Sequence, residues 1–435
     1  MNDTWLAAAI FAVTYAVIVS ERVHKTAAAL AGAVAMILAK IEVEGSGGGV
    51  FDQEAAFAAI DFNVIFLLAG MMIIVNVLAK TGVFQWLAIR SAKLGRGSPI
   101  RILVILSLVT AVASAFLDNV TTVVLIAPVT IFVAGALGVS AVPFLISEAL
   151  ASNVGGAATL VGDPPNILIA SQADLDFVSF ITNMGPVILL ILVAYLFLAR
   201  YLFSKQLVSR PELQARLLAM DETEVITDPR LLRISLVILG LTIFGFLIHG
   251  ALDYEPASVA LFGAAAILVV SRQNPHEILR EVEWSTLFFF VGLFIVVGGM
   301  EAAGILEDIG GALADLTAGS TTAATLLILW FSAFASGIVD NIPYTTAMLP
   351  IVDEVGRSLG DGEDTPNVLW WSLALGAGLG GNLTVIAASA NVLVANLAER
   401  GGQKIPFWEF FRYGALVTLL SVSVSSVYLW LRYLL

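Results

Sequence analysis

The chain has 435 residues, of which 59% are hydrophobic and 13% charged, with a mean hydropathy of +0.95 and a net charge of −13. Soluble domains carry about 25% charged residues, so this composition excludes a soluble globule and indicates a polytopic membrane protein. The acidic balance argues against nucleic acid as a partner, and the absence of cysteine excludes disulfides, thiolate metal sites and thiol redox chemistry.

In chain order, apolar runs predict helices at 4–20, 25–40, 56–79, 183–203, 231–250, 257–271, 284–301 and 408–431. Several approach the roughly 20 residues needed to cross about 30 Å of hydrocarbon. The first lacks a basic n-region and a small-residue cleavage site, so it reads as a retained helix rather than a signal peptide. Less regular apolar material fills 99–137, 143–170, 320–352 and 367–398. Clusters at Arg22/Lys25, Lys80 to Arg101, Arg200 to Arg233, Arg272/Arg280 and Arg400 to Arg412 hold 18 of the 21 basic residues. One alternating topology puts them all on one side, the cytoplasm, which implies a plasma (inner) membrane location with the N-terminus outside and the linker 206–230 inside. Lys40, Arg357 and Arg432 remain opposite, beside acidic loops such as Glu363-Asp364 and Asp174/Asp176.

This alternation requires 99–137 and 320–352 to be re-entrant hairpins, the first open to the cytoplasm and the second outward. A plain two-span course is the alternative; apolar arms that read as short, with a polar tip mid-segment, disfavour it. His24, His249 and His276 sit near loops at no metal-ligand spacing and read as interfacial histidines.

The hairpin tips belong to an internal repeat. Asp61 and Glu283, Gly70 and Gly292, Gly82 and Gly304, Ser114 and Ser336, Asp118-Asn119 and Asp340-Asn341, and Pro128 and Pro350 all stand 222 residues apart. Gly155-Gly156 and Gly380-Gly381, and Asn166 and Asn391, stand 225 apart. With the hairpins on opposite faces these are inverted repeats, 1–205 and 231–435. Transporters with this plan bind substrate near the midplane, where discontinuous helices of the two halves meet. The predicted fold is therefore all-α, with two inverted repeats, re-entrant hairpins 99–137 and 320–352, and broken helices 143–175 and 367–398.

Four stretches should converge: LDNVTT (117–122), SNVGGAATLVGDPPN (152–166), VDNIPYTT (339–346) and GGNLTVIAASAN (380–391). Each interrupts an apolar helix with Gly, Pro, Asn or Ser, freeing backbone groups that membrane depth tolerates only beside protein or a wet cavity. The expected binding set is Asp118, Asn119, Thr121, Asn153, Gly156, Thr159, Asp163, Asn166, Asp340, Asn341, Thr345, Asn382, Thr384, Ser389 and Asn391. Its amides donate and accept, and its hydroxyls and freed helix ends suit a small hydrogen-bonding solute with cation or proton positions alongside.

The acids have a plainer reading as helix N-caps, and Asp163 before Pro164-Pro165 fits that pattern. Against it, a mid-membrane aspartate costs roughly 2.5–3.5 kcal/mol even on permissive scales, whereas Ser or Asn caps nearly as well. Asp163, whose counterpart is Ala388, is the first choice for proton coupling, with Asp118 and Asp340 beside it. Glu148, about five residues from its helix end, reads equally as a snorkelling acid.

GGAATLVGDPPNILIAS, DNIPYTTAMLPI and GGNLTVIAASANVLVANLAE resemble the ion transporter superfamily, which includes arsenite permeases, a type of sodium/proton antiporter, the melanosomal P protein, citrate transporters and sodium-coupled dicarboxylate symporters. The similarity runs over nearly the whole chain and is greatest to the arsenite permease and P protein branch. It implies a homodimer of elevator type, with scaffold parts at 1–98 and 231–318 and transport parts at 99–205 and 319–435. It also implies an arsenite-stimulated ATPase subunit as a further partner. Where sodium-coupled relatives carry Ser-Asn-Thr at the hairpin tips, this chain has Asp118 and Asp340, which favours protons over sodium. Where they carry Gly-Thr-Pro-Pro-Asn it has Asp163, whose fixed charge would repel a dicarboxylate.

The leading expectation is a secondary transporter that exports arsenite or antimonite as a neutral hydroxide in exchange for protons. The alternatives are sodium/proton exchange or transport of another small anion. No enzymatic activity, metal or cofactor is expected. An intramembrane aspartyl protease would need a Tyr-Asp and a Gly-x-Gly-Asp, and Asp163 follows Leu160-Val161-Gly162 instead.

Overall fold

The computed structural model describes residues 3–20, 22–42, 49–208, 211–218, 222–359 and 368–435. The acidic loop Glu363-Asp364 lies outside them. The helices of the first half are α1 (Asp3–Ser20), α2 (Lys25–Ala39), α3 (Gln53–Ala58), α4 (Phe62–Ala79), α5 (Val83–Leu94), α6 (Pro99–Leu117), α7 (Asn119–Leu137), α8 (Val142–Gly156), α9 (Pro164–Gln172) and α10 (Phe177–Phe203). After the linker helix α11 (Pro211–Leu218) come α12 (Pro229–Ile248), α13 (Pro256–Ser271), α14 (Pro275–Arg280), α15 (Trp284–Ala302), α16 (Ile305–Leu316), α17 (Thr321–Ser336), α18 (Asn341–Ser358), α19 (Val368–Gly380), α20 (Ser389–Arg400) and α21 (Phe407–Leu429). Strands Ile41–Glu42 and Val50–Phe51 form a short antiparallel pair. Among the described residues, seven helices are long and apolar enough to cross a membrane.

Local chemistry sets the helix ends. Proline opens α6, α9, α12, α13 and α14, where its missing N–H costs nothing. Asp61 caps α4 through the amides of Asn63 and Val64, and Asp176 caps α10 through Ser179. These caps move two predicted boundaries: the expected 56–79 helix splits at Asp61 into α3 and α4, and α10 begins six residues before the expected 183. Gly138, at φ +65°, closes α7 in the left-handed conformation that glycine adopts without a Cβ clash.

The element order recurs across α11. Phe62 and Trp284, Val83 and Ile305, Pro99 and Thr321, and Asn119 and Asn341 each begin equivalent helices 222 residues apart, and Pro164 and Ser389 do so at 225. Packing is exchanged between the halves: α4 lies on α13 while α15 lies on α2, and α7 lies on α20 while α18 lies on α9. At the first crossing a Cβ on Gly70 would come within 2.8 Å of the Ala260 carbonyl carbon, and at the second a Cβ on Gly292 within 2.7 Å of that of Ala29. Small residues at such points let backbones approach closely.

One expectation fails in detail. The arms α6 and α7 are not short: each has 19 residues, about 28 Å at 1.5 Å per residue. Length therefore does not decide between hairpin and two spans. His249 also departs from expectation, being buried. Its Nε2 accepts from the Phe177 amide at 3.2 Å, and its Nδ1 lies 2.7 Å from the Tyr254 carbonyl, so it staples the start of α10 to the α12–α13 connection.

Candidate functional site

The breaks between α6 and α7 and between α17 and α18 both end on one carboxylate. Asn119, the first residue of α7, donates from Nδ2 to Asp163 Oδ1 at 3.0 Å, and its counterpart Asn341, the first residue of α18, donates to Asp163 Oδ2 at 3.4 Å. Asp163 occupies the N-cap position of α9, yet its side chain makes no capping bond there. The capping explanation therefore does not hold for this residue. Room for it comes from the other half: a Cβ on Gly378 would stand 3.6 Å from Asp163 Oδ2.

A second side chain of the first half fills the same centre. Asn153, in the last turn of α8, donates from Nδ2 to Asn382 Oδ1 at 3.0 Å and Asn391 Oδ1 at 3.1 Å, and its Oδ1 accepts from Asn119 Nδ2 at 3.2 Å. At the matching positions 378 and 388 the second half has only Gly and Ala. Asn153 and Asp163 thus occupy the space between the halves, and all six groups are buried. Asn119 Oδ1 and Asn382 Nδ2 are left without protein partners, and buried unpaired groups of this kind cost about 1–3 kcal/mol each.

Other predicted residues brace the broken helices. Asn166 Nδ2 donates to the carbonyls of Gly156 and Thr159, and Asn391 Nδ2 to those of Gly381 and Thr384. Thr159 Oγ1 bonds the Ala115 carbonyl and Thr384 Oγ1 that of Gly337. Each bond pins an unwound segment to its neighbouring hairpin arm. Gly156 allows close passage, since a Cβ would meet the Gly162 carbonyl oxygen at 2.5 Å. Thr345 is buried with an unpaired hydroxyl.

Asp118 and Asp340 do cap their second arms. Asp118 accepts from the amides of Val120 and Thr121 and from the Thr121 hydroxyl, and Asp340 accepts from the Ile342 amide. Asp118 does so at φ +77°, a conformation that costs a non-glycine residue about 1–3 kcal/mol. Both aspartates also line a cavity of about 370 Å³ together with Lys25, Glu283, Ser389 and Asn396. The predicted set therefore divides into a cavity wall (Asp118, Asp340, Ser389), a buried amide network around Asp163, and loop staples.

Residues 15–376 match the citrate transporter family. The chain belongs to that family. An uncharacterized transporter of Mycobacterium bovis is 47% identical over 98% of both chains, and the 46 kDa membrane protein of Mycobacterium leprae is 45% identical over 99% of both. The human P protein is 33% identical over 98% of this chain, which corresponds to 59% of that protein's length. Among solved structures, the Alcanivorax borkumensis YdaH transporter superposes with a TM-score of 0.56 at 13% identity, covering 99% of this chain and 98% of that one. The likeness is one of fold. This citrate transporter family member is accordingly a multi-pass membrane transporter and not an enzyme.

Sequence reasoning missed Lys25. Read only as a topology marker, it reaches from α2 to place Nζ 2.8 Å from Asp340 Oδ2 and 2.7 Å from Ser389 Oγ, 5.0 Å from the Phe289 ring centroid. Tyr15 of α1 likewise donates to the Pro343 carbonyl at 2.9 Å. Glu283, noted only as the counterpart of Asp61, is a third acid on the cavity wall. Glu148 does not snorkel: it is 1% exposed.

Proposed function

We propose that the chain is a proton-coupled secondary transporter whose solute is arsenite or antimonite in its neutral hydroxide form, exported across the plasma membrane in exchange for protons. The observation that carries this reading is Asp163, buried, capping nothing, and held by the tip amide of each hairpin. A proton on one oxygen of that carboxyl makes it a donor while the other oxygen goes on accepting, so the amide facing the protonated oxygen must re-sort its contacts, and proton occupancy is thereby tied to how the hairpins hold each other. Two halves that exchange packing reciprocally support inverted repeats. The transport parts 99–205 and 319–435 would then move against scaffold parts 1–98 and 231–318 in an elevator-like displacement, with the dimer contact in the scaffold. Lys25–Asp340 and Tyr15–Pro343 are the ties that such a displacement breaks.

The citrate in the family's description fits this cavity poorly. Its wall carries Asp118, Glu283 and Asp340, and Lys25 is already engaged with Asp340, so a tricarboxylate would meet net repulsion. Without cysteine, arsenic is recognised through hydroxyl and amide groups. The same three acids favour sodium/proton exchange as the second reading. Everted vesicles decide between the two: an imposed proton gradient should drive arsenite accumulation. If added Na⁺ dissipates the gradient and arsenite is inert, the exchange reading replaces the first.

A further inference from the structure

Away from the amide network, one more carboxyl is fully enclosed. Thr130 Oγ1 of α7 donates to Glu148 Oε1 at 2.6 Å, while Glu148 Oε2 is buried without a partner. One hydrogen bond does not offset the several kcal/mol of burying a carboxylate, whereas a neutral carboxyl needs one acceptor, which the Thr130 hydroxyl oxygen 2.6 Å away can supply. Packing does not demand this pair. The second half sets Leu373 and Val352 at the matching positions, both buried, and still joins its hairpin to its broken helix.

The location of Glu148 suggests a use. Four residues on, on the same face of α8, Ser152 donates to the Asn119 carbonyl at 3.0 Å, and Asn119 holds Asp163. The step from Glu148 to Ser152 is about 6 Å along the helix, and Thr130 lies about 10 Å from Leu137 at the open end of the hairpin. Glu148 thus sits between the hairpin base and its tip. The other helices packed on α8 bring few titratable groups. α7 and α19 have none, α6 and α20 have Arg101, Glu399 and Arg400 at exposed ends, and α21 has Glu409, Arg412, Tyr413 and Tyr428. α10 has exposed Arg200 and Tyr201 and the buried Tyr195, whose hydroxyl lies 2.8 Å from Ser147 Oγ.

We infer that Glu148 is a second proton-binding carboxyl of the moving unit, lying between the open end of the α6–α7 hairpin and the Asp163 site. A hydronium ion gives its proton to the Glu148 carboxylate, one hydronium O–H breaking as the carboxyl O–H forms and a water molecule being left, and release to water reverses both changes. The inference rests on the proton-coupled reading above. It is tested on the full chain in lipid vesicles by pH-jump difference infrared spectroscopy with isotopically labelled glutamate carboxyls. A carboxylic C=O band that appears on acidification, shifts with the label and is missing from Glu148→Gln is the expected result. Titrating glutamate bands identical in Glu148→Gln and the parent would overturn it.

Thr130→Val with Glu148→Leu copies the second half, should fold, and should lose the same band. In transport, Glu148→Gln should keep solute exchange at equal pH and lose about tenfold in gradient-driven flux, ~1.4 kcal/mol. If Asp163→Asn keeps its gradient response, the proton-coupled reading itself fails. If Asp163→Asn loses that response and Glu148→Gln keeps it, the inference about Glu148 alone fails.

Discussion

Breaking the Lys25–Asp340 pair tests whether the second hairpin is tied to α2 by charge. At 2.8 Å the gross attraction is roughly 6 kcal/mol for an effective dielectric constant near 20, most of it offset by desolvation. Fully exposed pairs contribute about 0–1 kcal/mol, and breaking fully buried ones costs about 3–5. With side chains 30% and 15% exposed, this pair falls between, at about 1–3 kcal/mol. Lys25→Met preserves the stem, and Asp340→Asn preserves the cap on Ile342, because Asn caps as well as Asp. At about 2 °C per kcal/mol for a chain of this size, each single variant should melt about 2–6 °C lower in purified form. The double variant should melt close to either single one, since the second removal finds the interaction already gone. Additive shifts would refute an energetic link between these residues.

Asp163→Asn should retain arsenite exchange at equal pH while losing its response to an imposed proton gradient, read in everted vesicles. Asn153→Ala removes three buried hydrogen bonds and strands their partners, so a loss of about 2–4 kcal/mol is expected; an unchanged melting profile would remove Asn153 from the inter-half network. Gly155→Ala drives a Cβ into the Ala111 backbone and should cost about 1–3 kcal/mol by overpacking, whereas Gly135→Ala, with open space around it, should be neutral or stabilising in the same melts.

The helix breaks after α6 and α17 were legible because a polar Asp-Asn pair interrupts an apolar run, and the 222-residue register marks both at once; the expected limits 99–137 coincide with the ends of α6 and α7. Residue type could not separate a ligand from a brace. An asparagine stapling two carbonyls, as Asn166 does, looks the same in a sequence as one gripping a carboxylate, as Asn119 does. Lys25 escaped because its role depends on a contact spanning 315 residues, and counting positive charges assigns such a residue to a surface. Glu148 stayed open between snorkelling and function because its depth was judged by distance from a helix end. Every residue of α8 is buried, so even its first turns lie away from solvent.

The claim on which the rest depends is that the two hairpin tips meet beside Asp163. Because the chain has no native cysteine, a D118C/D340C pair supplies the only thiols, and both positions line one cavity. With a protease site placed in the linker 206–230, a short bifunctional thiol reagent should hold the cleaved halves together as one full-length band on a denaturing gel. Two separate halves, from protein whose thiols have both reacted, would place the tips too far apart for a shared site and contradict the account.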